Sequence, residues 1–475
     1  MNERVLTPDL CVIGAGSGGL SVAAAAAALG VEVVLIEKHR MGGDCLNYGC
    51  VPSKALLAAG RRAHLMRTAG RFGIGAVEPD VNWPGVRAHV HGVIGAIAPN
   101  DSVERFAGMG VTVIQATAKF TDRRTVVAGD VTIRARRFVI ATGSSPAVPA
   151  IPGLAGTPHF TNETLFDNGA PVGHLVVIGA GPIGLEMAQA HRRLGAAVTV
   201  LEGRTALGKD DPELAAIALT ALRREGIAIR EGVTIEAVRG AAHGVEVDIR
   251  VGGELQTIGG THLLVAAGRT PNIEGLGLEA ARIEVASGAV VVNRGLVTSN
   301  RRVFAIGDVT GGLQFTHVAN AQAGIVIRRA LFRLPAKFSP SVVPWVTYVD
   351  PELAQVGLRE ADAVAQHGAV NVYRWPFAEN DRAQTEREHL GLVKIVTDKR
   401  GRILGAGMVG PHAGELIQLW VMAVSKEMKI SEMTDWISPY PTLMEVNKRV
   451  AFRSMTDRAS DPRVRKLIGF LRKFG

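Results

Sequence analysis

Two of the three cysteines in this 475-residue chain stand five positions apart, in the stretch Gly42-Gly43-Asp44-Cys45-Leu46-Asn47-Tyr48-Gly49-Cys50-Val51-Pro52-Ser53-Lys54. Thiols at that spacing either trade electrons as a dithiol–disulfide pair or serve structure alone. On a regular helix, residues five apart are about 8–9 Å from each other at Cα, whereas a disulfide wants roughly 4.4–6.8 Å. A bridge between Cys45 and Cys50 therefore needs a distorted backbone, which Gly49 and Pro52 permit. Strained, accessible bridges are the labile, catalytic kind. No second Cys/His pair lies nearby at ligand spacing, so no metal site is expected.

A redox pair needs an electron source, and the elements before it supply a place for one. Residues 9–14 read as a buried parallel strand running into Gly14-Ala15-Gly16-Ser17-Gly18-Gly19. An alanine-rich helix from Val22 to Leu29 follows, stopped by Gly30, then a strand from Val31 to Ile36 ending in Glu37 and Lys38. This is a dinucleotide fingerprint in strand–turn–helix–strand context. Gly14 makes the tight turn, Gly16 admits a pyrophosphate, Gly19 allows close helix–strand packing, and Glu37 accepts hydrogen bonds from a ribose. The helix start, with Ser17, offers donors and a positive dipole to phosphate. Cys11, inside the strand, reads as inert core.

The construction returns as Leu175 to Ile178, Gly179-Ala180-Gly181-Pro182-Ile183-Gly184, a helix through Leu194-Gly195, and Val198 to Leu201 ending at Glu202. Twenty-three positions separate Gly14 from Glu37 and also Gly179 from Glu202. Two modules imply two nucleotides, one bound flavin and one diffusible nicotinamide, with a hydride passing through the flavin to the cysteines. A carboxylate at Glu202 suits a free 2′-hydroxyl and repels a 2′-phosphate, which favours NADH, although Arg204 beside it leaves NADPH open.

The Cys45–Cys50 stretch, placed behind the first module, resembles the flavoprotein disulfide reductases, which include dihydrolipoamide dehydrogenase, glutathione reductase and mercuric reductase. The resemblance implies that Cys45 and Cys50 form the redox disulfide beside FAD, Cys50 facing the flavin and Cys45 the substrate. It also implies that Lys54 sits by the flavin and pairs with Glu186 of the nicotinamide module, favouring a thiolate–flavin charge-transfer state. Gly43 joins the flavin cradle, and Thr142-Gly143 match the segment that returns the chain from the flavin domain. Gly268, within Val265 to Asn272, plays that part for the second module. Asp308, in Val303-Phe304-Ala305-Ile306-Gly307-Asp308, matches the aspartate that holds the ribityl chain. His317 falls near the flavin's pyrimidine edge, or else partners backbone carbonyls.

From Ser341 the composition turns to strand patterns (Val342 to Val349, Leu392 to Val396, Ile403 to Val409) and helices Gly414 to Lys426 and Ile430 to Asp435. This stretch resembles the family's dimerisation domain, in which one subunit completes the other's disulfide site. The expected organisation is α/β: two Rossmann-like dinucleotide-binding domains and a C-terminal α+β dimerisation domain. Its parts are flavin-binding residues 1–150, NAD(P)-binding 151–272, a second flavin part 273–340, an interface domain 341–460 and a basic tail 461–475.

Where the family's dithiol enzymes carry His-Pro-Thr-x-x-Glu, this chain has Tyr440-Pro441-Thr442-Leu443-Met444-Glu445. A phenol, with a reference pKa near 10 against about 6.5 for imidazole, is a poor base at neutral pH. Mercuric reductases resemble this chain in that tyrosine. Residues 1–8 leave no room for the metal-carrying domain of those enzymes, and no cysteine follows Cys50 in this sequence to hand Hg(II) inward, so a specificity other than mercury detoxification is expected. The expected function is an FAD-dependent NAD(P)H disulfide oxidoreductase, mercuric-reductase-like, acting on a thiol, disulfide or metal substrate. The alternatives are dihydrolipoamide oxidation with NAD⁺ and a low-turnover flavin redox sensor.

A formal charge of +9 owes much to the tail, where Arg463, Arg465, Lys466, Arg472 and Lys473 cluster. Val464, Leu467, Ile468, Leu471 and Phe474 form one apolar helical stripe there. That helix either packs on its own dimer or meets an anionic membrane or a partner. Nucleic acid is excluded, because no basic stripe interleaved with aromatics appears. No segment suits a bilayer span, no signal pattern opens the chain, and three cysteines do not make a secreted scaffold, so a cytoplasmic homodimer is expected.

Overall fold

Four apolar residues, Leu10–Ile13, are buried on both sides at the middle of a five-stranded parallel sheet. Its order is Val303–Ala305, Arg137–Ile140, Leu10–Ile13, Val33–Glu37, Thr112–Gln115. Strand periodicity sends Leu10 and Val12 into one core and Cys11 and Ile13 into the other, giving a layered arrangement. The first core packs the helices Ser17–Ala28 and Thr316–Ala330; the second packs a smaller sheet that includes Ala118–Phe120 and Val126–Ala128. The chain goes out from Leu10–Ile13 to one side and later returns on the other. The strand ends between Leu10–Ile13 and Arg137–Ile140 are therefore a topological switch point, where open α/β sheets bind nucleotides.

The protein is described by a computed structural model covering residues 4–459 and 462–474. The chain separates into two units whose segments interleave. One comprises residues 1–179, 190–201 and 233–340; the other comprises 180–189, 202–232 and 341–475.

The first unit also holds strand His174–Ile178, paired in parallel with Ala197–Glu202 and His262–Val265. A three-stranded antiparallel meander, Thr234–Ala241, Gly244–Val251 and Glu254–Gly260, precedes the last of these and was not foreseen from sequence. In the second unit a five-stranded antiparallel sheet runs Pro344–Thr347, Glu352–Gly357, Ile403–Gly410, Leu392–Thr397, Asn371–Pro376. Trp420 lies fully buried against it and donates from Nε1 to Asn447 Oδ1 at 2.8 Å.

Several sequence-based boundaries shift. The first helix begins at Ser17 rather than Val22, because the glycine turn is itself the helix's first turn. The expected helix from Gly414 to Lys426 is two pieces, Ala413–Leu416 and Gln418–Ser425, and Ile430–Thr434 is a 3-10 helix. Helix Glu445–Ala459 escaped notice because its apolar positions are sparse. The tail stripe does form a helix, Pro462–Leu471, while Asp461 and Gly475 lie outside the described residues. Among the described residues no helix is long and apolar enough to cross a membrane.

Candidate active site at the cysteine pair

Cys45 lies in the short helix Gly43–Asn47, and Cys50 is the first residue of the helix Cys50–Thr68. Between them Tyr48 ends the first helix, and Gly49 leaves helical geometry at φ −122° and ψ −109°. This is the break in regular backbone that the spacing demanded. Cys45 is half-buried and Cys50 exposed, and the two thiols are not bridged.

Two helix starts converge on the Cys50 sulfur. The helix Cys50–Thr68 has no side-chain cap hydrogen bond and no acidic residue in its first turn, so its N-terminal dipole favours a thiolate there, against the opposing charge of Asp44 nearby. Thr316, which opens the helix Thr316–Ala330 under the same conditions, places its Oγ1 3.4 Å from Cys50 Sγ. Cys50 is pulled down to about 6. The hydrogen bond from Cys45 contributes most; burial opposes it, and the Thr316 hydroxyl and Lys54 ammonium lower it further. Cys45 is pushed up by the proton it gives Cys50, and by burial. The pair divides into a thiolate and a retained thiol. Lys54, one turn on, donates from Nζ to Ser53 Oγ at 3.4 Å.

The glycine loop beside the pair is crowded. A Cβ on Gly14, at φ +103°, would strike the Ala141 carbonyl oxygen, and one on Gly19 would strike the Gly14 carbonyl oxygen. A Cβ on Gly43 would come within 2.6 Å of Gly16 Cα. Glu37 is held by two backbone donors, Ala15 N at 2.7 Å and His39 N at 2.8 Å. The helix Ser17–Ala28 starts without a side-chain cap or acidic residue, leaving donors and dipole for an anion. A bare backbone cradle, an open helix start and a fixed ribose acceptor at the switch point fit the diphosphate and ribose of FAD. Lys38 is exposed just beyond Glu37.

Asp308, in the 3-10 helix Gly307–Thr310, accepts from Ser144 Oγ at 2.6 Å. Burial raises its carboxyl, against the lowering pull of Ser144 and Arg269. Arg269, only 11 % exposed at its side chain, donates to Ser144 Oγ at 2.7 Å and Ser144 O at 2.8 Å. It lies 3.2 Å from Asp44 and 3.8 Å from Asp308. Asn162 donates to Asp44 at 3.0 Å and to the Tyr48 carbonyl at 3.2 Å. This network joins the cysteine loop to Asp308, and sequence reading missed Arg269, Ser144, Asn162 and Thr316. The signals were Arg269's place in Gly268-Arg269-Thr270-Pro271-Asn272 and Ser144's in Thr142-Gly143-Ser144.

Thr142 and Gly143 are clamped by Asn272, whose amide bonds Thr142 O at 3.0 Å and whose backbone N bonds Gly143 O at 2.9 Å. Gly268 is exposed, at φ +124°. His317 stacks on Phe315, ring centroids 5.2 Å apart.

The second acidic residue repeats the first. Glu202 accepts from Ala180 N at 2.8 Å and Arg204 N at 2.9 Å, as Glu37 does from Ala15 and His39. A Cβ on Gly179 would strike the Ala266 carbonyl, the counterpart of Gly14 on Ala141. Gly181 is half-buried, Ile183 exposed and Gly184 buried at the start of helix Pro182–Arg193. Glu186, buried on that helix, accepts from Tyr348 N at 2.9 Å.

Tyr440 is exposed, and its hydroxyl donates to Asp381 Oδ2 at 2.9 Å. Asp381 and Glu445 both hold the phenol above its ordinary value, Asp381 more. Glu445 opens helix Glu445–Ala459 and lies 3.6 Å from Arg449.

Residues 8–323 match the family described as pyridine nucleotide-disulphide oxidoreductase, and residues 343–451 match its dimerisation domain. A mercuric reductase of Lysinibacillus sphaericus is 34 % identical over 446 residues, 93 % of this chain and 82 % of the relative. Dihydrolipoyl dehydrogenase 3 of Pseudomonas aeruginosa is 35 % identical over 464 residues, covering 93 % and 97 %. The structure of the HOCl-induced flavoprotein disulfide reductase RclA from Escherichia coli, as its Cu(II) complex, superposes with a TM-score of 0.83. That match is at 27 % identity and covers 94 % of this chain and 99 % of the other. With an FAD cradle, a paired dithiol, a repeated nucleotide module and a dimerisation domain on one chain, this protein belongs to the pyridine nucleotide-disulphide oxidoreductases, FAD-dependent enzymes that draw electrons from NAD(P)H.

Proposed function

We propose that this enzyme uses NADH to keep Cys45 and Cys50 reduced, and spends the dithiol on a soft metal ion or a small disulfide. The observation that carries this reading is the Tyr440–Asp381 hydrogen bond. Oxidising a dithiol needs a base that takes a thiol proton near neutral pH. A phenol already donating to a carboxylate, and held above its usual range by it, cannot serve. Reducing a metal ion asks for no such base, because a soft ion displaces the proton from a thiol as the sulfur binds it. The names of the relatives support this direction: mercuric reductases, and RclA in complex with Cu(II).

When bound, FAD would supply the two-electron carrier between the nicotinamide and the sulfurs. The chain's own groups do the rest. Gly14, Gly16, Ser17, Gly19 and Gly43 take the diphosphate, Glu37 and Lys38 the ribose end, and Asp308 the ribityl chain. Gly179, Gly181, Ile183, Gly184 and Gly268 frame the nicotinamide nucleotide, and Glu202 selects the free 2′-hydroxyl. Cys50 is the thiolate kept beside the flavin by Cys45, Thr316 and Lys54. Cys45, left protonated, is the thiol that meets the substrate. In balance, NADH, a proton and the disulfide give NAD⁺ and the dithiol; two electrons then leave the dithiol for Hg(II), or for an external disulfide that also takes two protons. Glu186 positions the nicotinamide side, and Tyr440 shapes the substrate mouth. A chain with three cysteines suits a reducing cytoplasm.

The test is NADH oxidation by the FAD-loaded enzyme against Hg(II), Cu(II), oxidised glutathione and lipoamide, with dihydrolipoamide-driven NAD⁺ reduction beside it. A metal ion should give the highest kcat/KM, and Tyr440→His should speed dihydrolipoamide oxidation by about tenfold or more. A wild type that oxidises dihydrolipoamide as fast as Tyr440→His would refute the reading.

A further inference from the structure

The helix Pro462–Leu471 begins eleven residues past the stretch matched to the dimerisation domain, and none of its residues is buried. At 100° per residue its side chains sort into two opposed arcs. Val464, Leu467, Ile468, Phe470, Leu471 and Phe474 share an arc of roughly 160°. Arg465, Lys466, Arg472 and Lys473 share the opposite one, while Arg463, in the helix's first turn, falls on the apolar side between Phe470 and Phe474. Leu467, Ile468, Phe470 and Leu471 are each more than half exposed, and Phe474 is 73 % exposed. Phe470 and Phe474 meet edge to face with centroids 5.0 Å apart, forming one aromatic block on that face. Residues 462–474 contain five cations and no carboxylate.

Many exposed apolar residues on a chain end can simply await a second subunit. Charge separates the cases here. An interface between two copies would bring like-charged helices together or need acidic residues opposite, and this segment has none of its own. An apolar, Phe-bearing face backed by four cations, with a fifth at the helix start and no carboxylate on the segment, is instead the composition of a helix lying in the plane of an anionic lipid surface. We propose that the helix Pro462–Leu471, continued to Phe474, docks the enzyme peripherally on anionic phospholipid, with its apolar arc in the acyl boundary and its cations among the headgroups. The contact is interfacial: ten helical residues are far too few to span a bilayer.

The experiment is flotation of the full-length, FAD-loaded protein with vesicles of phosphatidylglycerol and phosphatidylcholine, or of phosphatidylcholine alone. Wild type should bind the anionic vesicles at least about tenfold more tightly, and should release them as salt is raised. Arg465→Gln with Arg472→Gln should weaken anionic binding about tenfold or more. Leu467→Ser with Phe474→Ser should abolish it. In both variants NADH oxidation and molar mass by light scattering should match wild type. Equal binding to both vesicle types, or binding to neither, overturns the proposal. So does a drop in molar mass in the Leu467→Ser, Phe474→Ser protein, which would assign this face to a second copy of the chain.

Discussion

At the scale of single residues, the division of labour between Cys45 and Cys50 rests on who donates to whom. Cys50 collects a hydrogen bond from Cys45, another from Thr316, and the fields of two helix starts. With its value lowered to about 6, Cys50 favours the thiolate at neutral pH. Because this value is depressed, the thiolate persists above it and is lost as pH falls through about 6. In a Cys45→Ser protein, whose serine can still donate, the ultraviolet thiolate absorbance should titrate near that pH. Cys11 stays silent, since burial pushes its thiol far up. Thr316→Val should move the midpoint upward by about one pH unit, the worth of one hydrogen bond to a charged group. An unmoved midpoint would remove Thr316 from the site.

At the scale of elements, the turn into Ser17–Ala28 works because its glycines lack a side chain. Gly19 sits so close to the Gly14 carbonyl that a methyl group has no room, and Gly43 meets Gly16 in the same way. Gly19→Ala should therefore lift the helix off the strand Leu10–Ile13, destabilise the protein by about 2–4 kcal/mol and release FAD. Thermal melting and bound flavin absorbance read both effects. Gly30→Ala is the control: it has open space around its Cβ position, though its φ of +73° makes alanine mildly strained. A Gly19→Ala protein that keeps flavin and melts like the control would show that the turn adapts.

At the scale of the whole molecule, the second unit is assembled from three separate lengths of chain, and buried charge ties two of them together. Lys394, 5 % exposed on the sheet strand Leu392–Thr397, lies 2.8 Å from Asp211, which caps helix Pro212–Arg224. It also reaches Glu213 at 2.9 Å and Glu360 at 2.8 Å, both of which bond Arg374. Burial alone would lower the ammonium, but the three carboxylates outweigh it and its value ends raised. Removing the cation leaves Asp211 buried without its partner. Lys394→Met should cost about 2–3 kcal/mol, less than a fully buried pair because Glu213 and Glu360 are over a third exposed. Arg374 holds Glu213, and Lys394 holds Glu360, below their ordinary range. Carboxylates depressed in the folded state contribute stability above about pH 4.5 that is lost as pH falls through their folded values. Melting temperature should thus fall less steeply with acid in Lys394→Met than in wild type. Parallel curves would show the cluster to be inert.

Local structure was legible in the residues: the backbone break between the cysteines, both glycine turns, the strand-end carboxylates Glu37 and Glu202 and the tail helix are short-range patterns, and short-range patterns survive in one dimension. The helix boundaries slipped where a turn and a helix share the same backbone, as at Ser17, and where apolar spacing is sparse, as in Glu445–Ala459. What only the tertiary structure decided are the partners of those residues. Thr316 stands 266 positions from Cys50, Arg269 more than two hundred from Asp44, and Asp381 fifty-nine from Tyr440. A hydrogen bond depends on distance in space, and no spacing rule along a chain encodes which distant threonine, arginine or aspartate the fold will deliver to it.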